Sequence, residues 1–310
     1  MTRLRTLLII VLLVLFISVS SQIGWSQKSG ADSSQPSIPH VTLTFTTIDC
    51  GSGAAYTTAT GINNSGVVVG GCGRANGSLD NGYERFSGMI RRIDVPGTAA
   101  TNATDINSSG EIAGIADLTT SSGAQGFLLK DGAYTTIDDT AGIQTVVTGI
   151  NTAGATVGYW NDNHSNTHGF VYENGTFIPV SVPGCTILIP KGLNSSTIVG
   201  QCITSSERYA FLKQGRSFTN LKFPGALSTN AHSIDASGEV IGLYEDSSFV
   251  YHGFLWWHGA FVETFDLQGA TLSDDAFTRL SLNDMGQIVG TYEDTRFVQH
   301  GFVANLPRLN

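Results

Sequence analysis

Four residues interrupt a regular repeat at positions where their side chains could do chemistry. Each copy of the repeat contains an Asn or Asp at a fixed position. Lys191 and His232 stand three residues before this Asn or Asp in their copies, and Arg279 stands four residues before it. Asp105 stands two residues before it, where the other copies have Gly or Ser. If they line the mouth of a channel, they are candidate catalytic residues that offer an acid, a base and an anion clamp. Because only one face of a strand can point into a channel, the four are not expected to converge. The competing interpretation, which we favour, is a polar channel wall without catalysis.

The recurring residue belongs to a phrase, Gly-Ile-Asn-x-x-Gly-x-x-Val-Gly or a close variant, that occurs six times. Its Asn or Asp recurs in steps of 44, 44, 43, 41 and 48 residues, at Asn63, Asn107, Asn151, Asn194, Asp235 and Asn283. A period in this range is typical of repeat architectures, in which each unit needs its neighbours to bury a core.

The third copy shows the strand pattern of the unit most clearly. Its β-branched, apolar and aromatic runs span residues 145–151, 155–160, 169–172 and 176–182, and turns rich in Gly and Asn separate them. Such runs predict antiparallel strands joined by hairpins. Four strands in about 44 residues is the size of one propeller blade. The sequence therefore predicts an all-β fold, a six-bladed β-propeller of four-stranded repeats.

The two ends of the repeat region predict that the ring closes. The sixth copy stops after its third strand, at residues 301–305, and lacks a fourth. Residues 45–49, Phe-Thr-Thr-Ile-Asp, closely match residues 134–138, Tyr-Thr-Thr-Ile-Asp, which form a fourth strand. Pairing the N-terminal strand with the last copy would complete six blades and remove two edge strands. An open solenoid is the alternative.

The N-terminal segment predicts export. Arg3 and Arg5 precede an apolar run from Leu7 to Val19, and small residues follow, so residues 1–21 are predicted to be a secretory signal peptide. An uncleaved anchor is the alternative, but a membrane span needs about 20 apolar residues. Residues 22–40 are predicted to be a flexible leader and residues 41–310 a single propeller domain. The predicted location is secreted, extracellular or periplasmic, without membrane attachment after cleavage.

The charge balance excludes two classes of partner. The chain has 16 basic and 25 acidic residues, and cleavage of the signal removes two arginines, which leaves 14 against 25, a net charge of −11. Such a balance is unlike a nucleic-acid-binding or anionic-membrane surface. Charged residues are only 13% of the chain, which suits an exported β-protein. We expect a monomer.

The four cysteines predict two disulfides. Cys72 and Cys202 occupy the same repeat position, two residues after the Gly of a Val-Gly pair, while Cys50 and Cys185 each lie in the connection that leaves a fourth strand. Of the three pairings that four cysteines allow, only Cys50–Cys72 with Cys185–Cys202 treats both pairs alike. These disulfides would form in an oxidising compartment. A metal site is the alternative, but the sequence has no Cys-x-x-Cys spacing.

The whole unit resembles the HAF family of bacterial extracellular repeats. The fifth and sixth copies match best, with Ile-Gly-Leu-Tyr-Glu-Asp at 241–246 before His-Gly-Phe at 252–254, and Val-Gly-Thr-Tyr-Glu-Asp at 289–294 before His-Gly-Phe at 300–302. The fourth copy departs, because it loses one turn residue and reads Tyr-Ala-Phe at 209–211. The resemblance implies an exported β-rich repeat and transfers no catalytic residue.

Long connections predict a binding face. Loops held by a rigid scaffold often carry function, and this face would present aromatic residues beside carboxylates. The candidate binding residues are Trp160, Asp162, Tyr244, Asp246, Tyr292 and Asp294. Their chemistry suits carbohydrate, or glycan binding assisted by Ca²⁺, which takes oxygen ligands. The alternative, which we favour because the pattern recurs with the repeat, is that each Asp bonds the His of His-Gly-Phe (His168, His252, His300) and pins its loop.

The sequence thus favours a secreted, non-catalytic binding or surface-interaction module for a polysaccharide or another extracellular partner. One alternative is a propeller hydrolase or lyase that acts on an extracellular polysaccharide at the channel mouth. A purely structural envelope protein is a third hypothesis. No cofactor and no metal site are predicted; Ca²⁺ enters only as an alternative within the glycan-binding hypothesis.

Overall fold

The structure is a computed structural model that describes residues 37–51, 54–74, 79–119, 123–274 and 278–307. The predicted signal peptide and the leader up to residue 36 lie outside the described residues. Every described element of regular secondary structure is a β-strand. None of the described residues forms a helix with the length and hydropathy that a membrane span requires.

The first two strands, β1 (His40–Leu43) and β2 (Phe45–Ile48), precede the repeats. Sheet one contains β3 (Tyr56–Ile62), β4 (Val68–Gly73), β5 (Leu79–Phe86) and β6 (Met89–Ile93). Sheet two contains β7 (Thr98–Ile106), β8 (Ile112–Leu118), β9 (Ala124–Lys130) and β10 (Ala133–Ile137). Sheet three contains β11 (Gln144–Ile150), β12 (Thr156–Asn161), β13 (Thr167–Glu173) and β14 (Thr176–Val180).

Sheet four contains β15 (Ile187–Leu193), β16 (Thr197–Ile203), β17 (Arg208–Gln214) and β18 (Ser217–Leu221). Sheet five contains β19 (Ser228–Ile234), β20 (Val240–Glu245), β21 (Tyr251–Trp257) and β22 (Ala260–Leu267). Sheet six contains the short β23 (Thr271–Leu272) and β24 (Ser281–Leu282), then β25 (Gln287–Glu293) and β26 (Gln299–Asn305). Consecutive strands pair antiparallel within sheets one to five, as in sheet three. In sheet six, β23 and β24 each pair antiparallel with β25, and β25 pairs antiparallel with β26. A single parallel bridge, Arg208 with Ser228, joins sheets four and five.

The predicted strands of the third copy are confirmed to within two residues at each end. The reason is local: each strand is a short β-branched or aromatic run, and each turn carries a residue that tolerates positive φ, such as Gly154 or Asn174.

Sheet six takes its fourth strand from the other end of the chain. β2 pairs antiparallel with β26, with Phe45 opposite Ala304 and Ile48 opposite Gly301. This is the pairing that the matching Phe-Thr-Thr-Ile-Asp segment predicts. β1 has a different role, which the sequence did not predict: it pairs parallel with β22, with Val41 opposite Phe265, and so widens sheet five.

The first strands of sheets one to five share an irregularity. In each, the register shifts around the residue three before the anchor Asn or Asp, as at Ala59/Gly61 in β3. The extra residues are Thr60, Thr104, Thr148, Lys191 and His232. A β-bulge re-aims the side chain of its extra residue. Thr60 uses this to donate a 2.7 Å hydrogen bond to the carbonyl of Ala103 in sheet two. The bulge position is therefore a bridge between neighbouring sheets.

A glycine–aromatic pair builds the core of each sheet. The glycine at the Val-Gly position of the second strand lies beneath an aromatic ring of the third strand; in sheet five, where the pair is Ile241-Gly242, Gly242 lies beneath the buried Phe254. A Cβ on Gly242 would stand 2.1 Å from the carbonyl oxygen of Asn230 and 2.7 Å from Phe254. The glycine is required because backbone and ring already fill that space.

We expect Gly242→Ala to lower the free energy of unfolding by about 2–3 kcal/mol, since overpacking a filled core forces backbone shifts. Gly301→Ala is the matched control, because its Cβ would meet nothing closer than 3.1 Å. Urea unfolding followed by tryptophan fluorescence measures both. Equal losses in the two variants would contradict this account of the motif.

Both predicted disulfides are confirmed. Cys50 is bonded to Cys72 and Cys185 to Cys202, with Cα atoms 6.0 and 5.5 Å apart. Each links the exit of a fourth strand to the second strand of the following sheet, as the shared repeat positions require. Disulfides of this kind persist in oxidising compartments, so the protein belongs to such a compartment.

Candidate functional site

The anchor residues form a ladder along the turn side of the sheets. Each Asn side chain accepts backbone hydrogen bonds within its own turn, as Asn63 Oδ1 does from Ser65 and Val67, and donates from Nδ2 to the anchor carbonyl of the next sheet. The donor–acceptor pairs are Asn63–Asn107, Asn107–Asn151, Asn151–Asn194, Asn194–Asp235 and Asn283–Asn63, at 2.9–3.3 Å. The anchors are therefore structural.

The ladder is interrupted where the anchor is Asp235, because a carboxylate has no N–H to donate. Asp284 replaces the missing link: its carboxylate accepts hydrogen bonds from the Ala236 N–H and from Asn64 Nδ2, at 3.0 and 2.7 Å. The anchors surround a cavity of about 360 Å³, which we call the turn-side cavity. Asp105 also lines it.

A second cavity, of about 310 Å³, lies at the opposite end of the first strands, and we call it the loop-side cavity. Arg208, Ser228 and Tyr251, the first residues of β17, β19 and β21, line it, so it lies where the long connections enter the sheets. The other residues that line it are Thr60, Asn102, Thr104, Ile115, Val146, Thr148, Tyr159, Ile189, Lys191, Gln201, Asn230, Asp274, Thr278 and Arg279.

Asp274 is the centre of a polar cluster in the loop-side cavity. Its carboxylate lies 3.6 Å from Lys191 Nζ and 3.2 Å from His232 Nε2, and it accepts hydrogen bonds from Asn230 Nδ2 at 3.0 and 3.2 Å. Burial alone would raise the pKa of Asp274, but Lys191, His232 and Asn230 outweigh burial and hold that pKa well below its usual range. The cluster therefore holds a buried, ionised carboxylate.

His232 is a neutral, fully enclosed part of this cluster. Its side chain is 0% exposed, and its Nδ1 accepts a 2.9 Å hydrogen bond from the Leu280 N–H. Nδ1 is thus unprotonated and the proton is on Nε2, which faces Asp274. Burial, followed by the charge of Lys191, lowers the pKa of His232 to about 4. With no surface toward either cavity, His232 is placed to hold sheets five and six together rather than to touch a ligand.

We expect acid to destabilise the protein through His232. Its pKa is about 4 in the folded state against about 6.5 when unfolded, so the unfolded state binds the extra proton between these values. The contribution of His232 to the free energy of unfolding is fully present above about pH 6.5. It decreases by about 3 kcal/mol as the pH drops to about 4. The depressed pKa of Asp274 adds a further loss below that, whereas burial raises the pKa of Asp105 and opposes the trend.

His232→Asn isolates the effect, because Asn keeps an acceptor for the Leu280 N–H but does not titrate. Urea unfolding from pH 4 to pH 7 should show a smaller slope in the variant. The same slope in both proteins would assign the pH dependence to other groups.

Arg279 separates the two cavities. It is buried, its guanidinium donates to the carbonyls of Thr148 in sheet three and of His232 in sheet five, and it lies 4.0 Å from Asp105 of sheet two. Burial lowers the pKa of Arg279 and the carboxylate of Asp105 opposes that shift. Asp105 in turn accepts a 3.1 Å hydrogen bond from the Ile150 N–H. Arg279 thereby connects four of the sheets.

The four candidate catalytic residues are thus joined by contacts but do not converge on one surface. Lys191 and Arg279 line the loop-side cavity, Asp105 lines the turn-side cavity, and His232 lines neither. Asp274 connects Lys191 to His232, and sequence reasoning missed it because it lies where the sixth copy has no continuous first strand. Whether any of the four takes part in a reaction stays a prediction.

The three long loops after the second strands are pinned by His and Asp. Asp162 lies 3.2 Å from His168, Asp246 lies 3.5 Å from His252, and Asp294 lies 3.5 Å from His300. The Nδ1 atoms of His252 and His300 make shorter, 2.7 Å contacts with the carboxylates of Asp266 and Asp49. The preceding aromatic ring stacks on the same imidazole in each loop, in the pairs Trp160–His168, Tyr244–His252 and Tyr292–His300. The hydrogen bond that the structural interpretation predicts is present between Asp162 and His168, whereas His252 and His300 bond to Asp266 and Asp49 and only approach their loop Asp. Sugar binding by these six residues stays a prediction.

Hydrogen bonds within these loops occupy the carboxylates. The pKa of Asp162 is lowered chiefly by hydrogen bonds from the Asn166 side chain and backbone. The pKa of Asp246 is lowered chiefly by the Val250 N–H, and that of Asp294 by the Val298 N–H. Across the described ranges, no group of three or more His, Cys, Asp or Glu is arranged to hold a metal ion.

Two phenylalanines at the tips of these loops escaped the sequence analysis. Phe249 and Phe297 each lie three residues after the loop Asp and are 75% and 83% exposed. Both adopt a left-handed backbone with φ of 62°, as does Ser165 at the same position of the third copy, with φ of 65°. A left-handed backbone is energetically unfavourable for a residue as bulky as phenylalanine, and exposing its aromatic ring to water is also unfavourable. The signal was available, since both follow Glu-Asp by three residues.

Comparison with known proteins identifies the architecture only. No protein-family model matches the chain, and no curated protein matches its sequence. The structure is similar to that of a putative TolB from Agrobacterium tumefaciens, with a TM-score of 0.54 at 10% identity over 82% of this chain and 91% of that chain. It is also similar to AofleA from Arthrobotrys oligospora, with a TM-score of 0.54 at 14% identity over 84% and 86%.

A further similar structure is a mutant Aleuria aurantia lectin in complex with Fucα1-6GlcNAc, with a TM-score of 0.51 at 10% identity over 80% of this chain and 91% of that chain. The fold is that of a β-propeller. At these identities the likeness shows the fold alone, and the HAF resemblance stays a prediction.

Proposed function

We propose that this β-propeller has six blades, is closed by β2, and serves as an extracellular, non-catalytic module that binds polysaccharide on the face where the long connections lie. Two observations support closure: β2 completes sheet six, and the anchor Asn283 of sheet six donates to the Asn63 carbonyl of sheet one. The lectin with a similar fold was solved with a fucosylated saccharide, which is compatible with a carbohydrate ligand here.

The observation that carries the function is the pair of exposed rings, Phe249 and Phe297. They stand at the same position of two neighbouring loops, and each loop is held rigid by its Asp–His contact. An exposed aromatic ring on a rigid loop offers an apolar face, at little entropic cost, to the C–H face of a sugar ring. Two such rings on adjacent blades suit a ligand that extends along the surface, which is the property of a polysaccharide.

Replacing both rings by serine tests the proposal without disturbing the loops, because the third copy already carries Ser165 at this backbone conformation. The native protein and the Phe249→Ser/Phe297→Ser variant are mixed with insoluble and soluble polysaccharides, with calcium or with EDTA. We expect the variant to be retained at least ten-fold less strongly than the native protein, while its unfolding curve stays within about 0.5 kcal/mol of native. Trp257→Ser, at an exposed position on β21, is the control for loss of an aromatic ring.

Three outcomes decide between the hypotheses. Equal retention of native and variant protein on every polysaccharide would contradict the role of the two rings. Loss of retention in EDTA would establish that binding depends on Ca²⁺. Release of new reducing or unsaturated ends would establish the alternative, a hydrolase or lyase, and would direct mutagenesis to Lys191 and Arg279 in the loop-side cavity.

A further inference from the structure

We propose that the loop-side cavity is a binding subsite for one hexuronic acid unit at the end of a polysaccharide. Three features of the cavity lead to this inference: its size, the unused hydrogen-bonding atoms of residues that line it, and an arginine at its rim without a carboxylate partner among the described residues. The inference rests on the proposed function, since it assigns the chemical class of sugar, but it depends on different residues.

Four residues that line the cavity each carry a buried polar atom without a hydrogen-bond partner among the described protein atoms. These are Asn102 Oδ1, Thr104 Oγ1, Asn230 Oδ1 and Arg279 Nε, and all four side chains are more than nine-tenths buried. A buried polar atom without a partner costs about 1–3 kcal/mol, so such atoms are rare unless a ligand or water satisfies them. Four of them in the wall of one cavity indicate a polar ligand.

The four unpartnered atoms define which hydrogen-bonding groups the ligand must supply. The two Asn oxygens are acceptors and require donors, which the hydroxyl groups of a sugar supply. The Thr104 hydroxyl can donate or accept, and Arg279 Nε can only donate. A cavity of about 310 Å³ is at the lower end of the range for small-ligand sites, about 300–1,000 Å³, so it suits a single sugar unit rather than a longer segment of chain.

The charges that line the cavity favour an acidic sugar. Among the described residues, Lys191, Arg208 and Arg279 line it together with one carboxylate, Asp274, in a chain whose net charge is −9. Lys191 balances Asp274, and Arg279 lies 4.0 Å from the buried carboxylate of Asp105, so Arg208 is the lining cation that has no carboxylate partner among the described residues. Nearby Glu245 lies outside the lining and accepts a 3.1 Å hydrogen bond from Ser228. A ligand carboxylate would therefore meet the uncompensated charge of Arg208.

Arg208 is the residue that would bind the carboxylate. It is exposed at the rim, on the first position of β17, and no carboxylate of the described residues forms a salt bridge with it. Its guanidinium is a planar fork that matches a carboxylate with two parallel hydrogen bonds. A hexuronate carries a carboxylate at one edge of its ring and hydroxyls on the others, which matches Arg208 at the rim and the Asn oxygens inside.

Isothermal titration with short oligosaccharides tests the inference on the native protein and on Arg208→Gln. The ligands are galacturonate and glucuronate trimers, their methyl esters, a neutral glucose trimer and a sulfated trimer. We expect Arg208→Gln to weaken binding of a uronate trimer at least ten-fold and to leave the methyl ester and the neutral trimer unchanged. Arg216→Gln is the matched control, since Arg216 is exposed in the turn that follows the other end of the same strand.

The outcomes separate this inference from the proposed function. Equal affinity for uronate and neutral trimers, with retention of polysaccharide that still depends on Phe249 and Phe297, would overturn the inference and leave the proposed function standing. Tighter binding of the sulfated trimer than of the uronate would overturn the assignment of a carboxylate. If Asn102→Leu, which fills one unpartnered position, binds every trimer as tightly as native protein, the cavity is not the subsite.

Discussion

Placing a charge on the buried face of β2 should unfold the protein. Ile48 is 1% exposed and packs in a cluster with Ala59 and Val68 of sheet one and Val289 of sheet six. Ile48→Asp would bury a carboxylate without a partner, at a cost of more than about 4 kcal/mol. Because domains are stable by only about 5–15 kcal/mol, and the strand also completes sheet six, we expect little folded protein at 37 °C.

Thr46→Asp is the matched control, because Thr46 lies on the same strand with its side chain exposed. Urea unfolding at 25 °C, with fluorescence and circular dichroism as probes, measures both variants. If the two behave alike, β2 is only loosely attached and the chain is held together without it. A synthetic peptide of residues 38–49, added to a chain that begins at Cys50, provides a second measurement. Recovery of the native spectrum would show that the strand completes the fold even when it is not covalently joined.

Much of the fold could be predicted because each strand carries its own signal. Residues 45–49 repeat the fourth-strand sequence of residues 134–138, and the cysteines share repeat positions, so pairings across the chain followed from comparing copies. β1 could not be predicted in this way, since residues 40–43 have no counterpart in another copy and pair parallel with β22.

The candidate site was less accessible to sequence reasoning. Lys191 and His232 could be found because they replace threonine at the bulge position, but their common partner Asp274 lies in a segment without a repeat position. Trp160, Tyr244 and Tyr292 fitted a binding surface by type, yet in the structure they stack on the loop histidines. Sequence pattern reports residue type and period, whereas a site depends on which side chains already have partners.

Removal of the Arg279 charge is expected to have the second large effect. Arg279→Met keeps most of the volume of the side chain but leaves two carbonyls, of Thr148 and His232, without their donor. It also leaves Asp105 buried without its nearest cation. Breaking a buried charge pair by removing one partner costs about 3–5 kcal/mol, so the variant should unfold at a much lower urea concentration.

A second substitution distinguishes the charge from the hydrogen bonds. Asp105→Asn in the Arg279→Met background removes the uncompensated carboxylate while an amide oxygen can still accept from the Ile150 N–H. We expect the double variant to recover about 1–3 kcal/mol of the loss, the usual range for residues that interact directly. Arg296→Met, at an exposed position, controls for loss of an arginine. If the two substitutions are additive, Arg279 stabilises the protein through the carbonyls alone, and its separation of the two cavities owes nothing to Asp105.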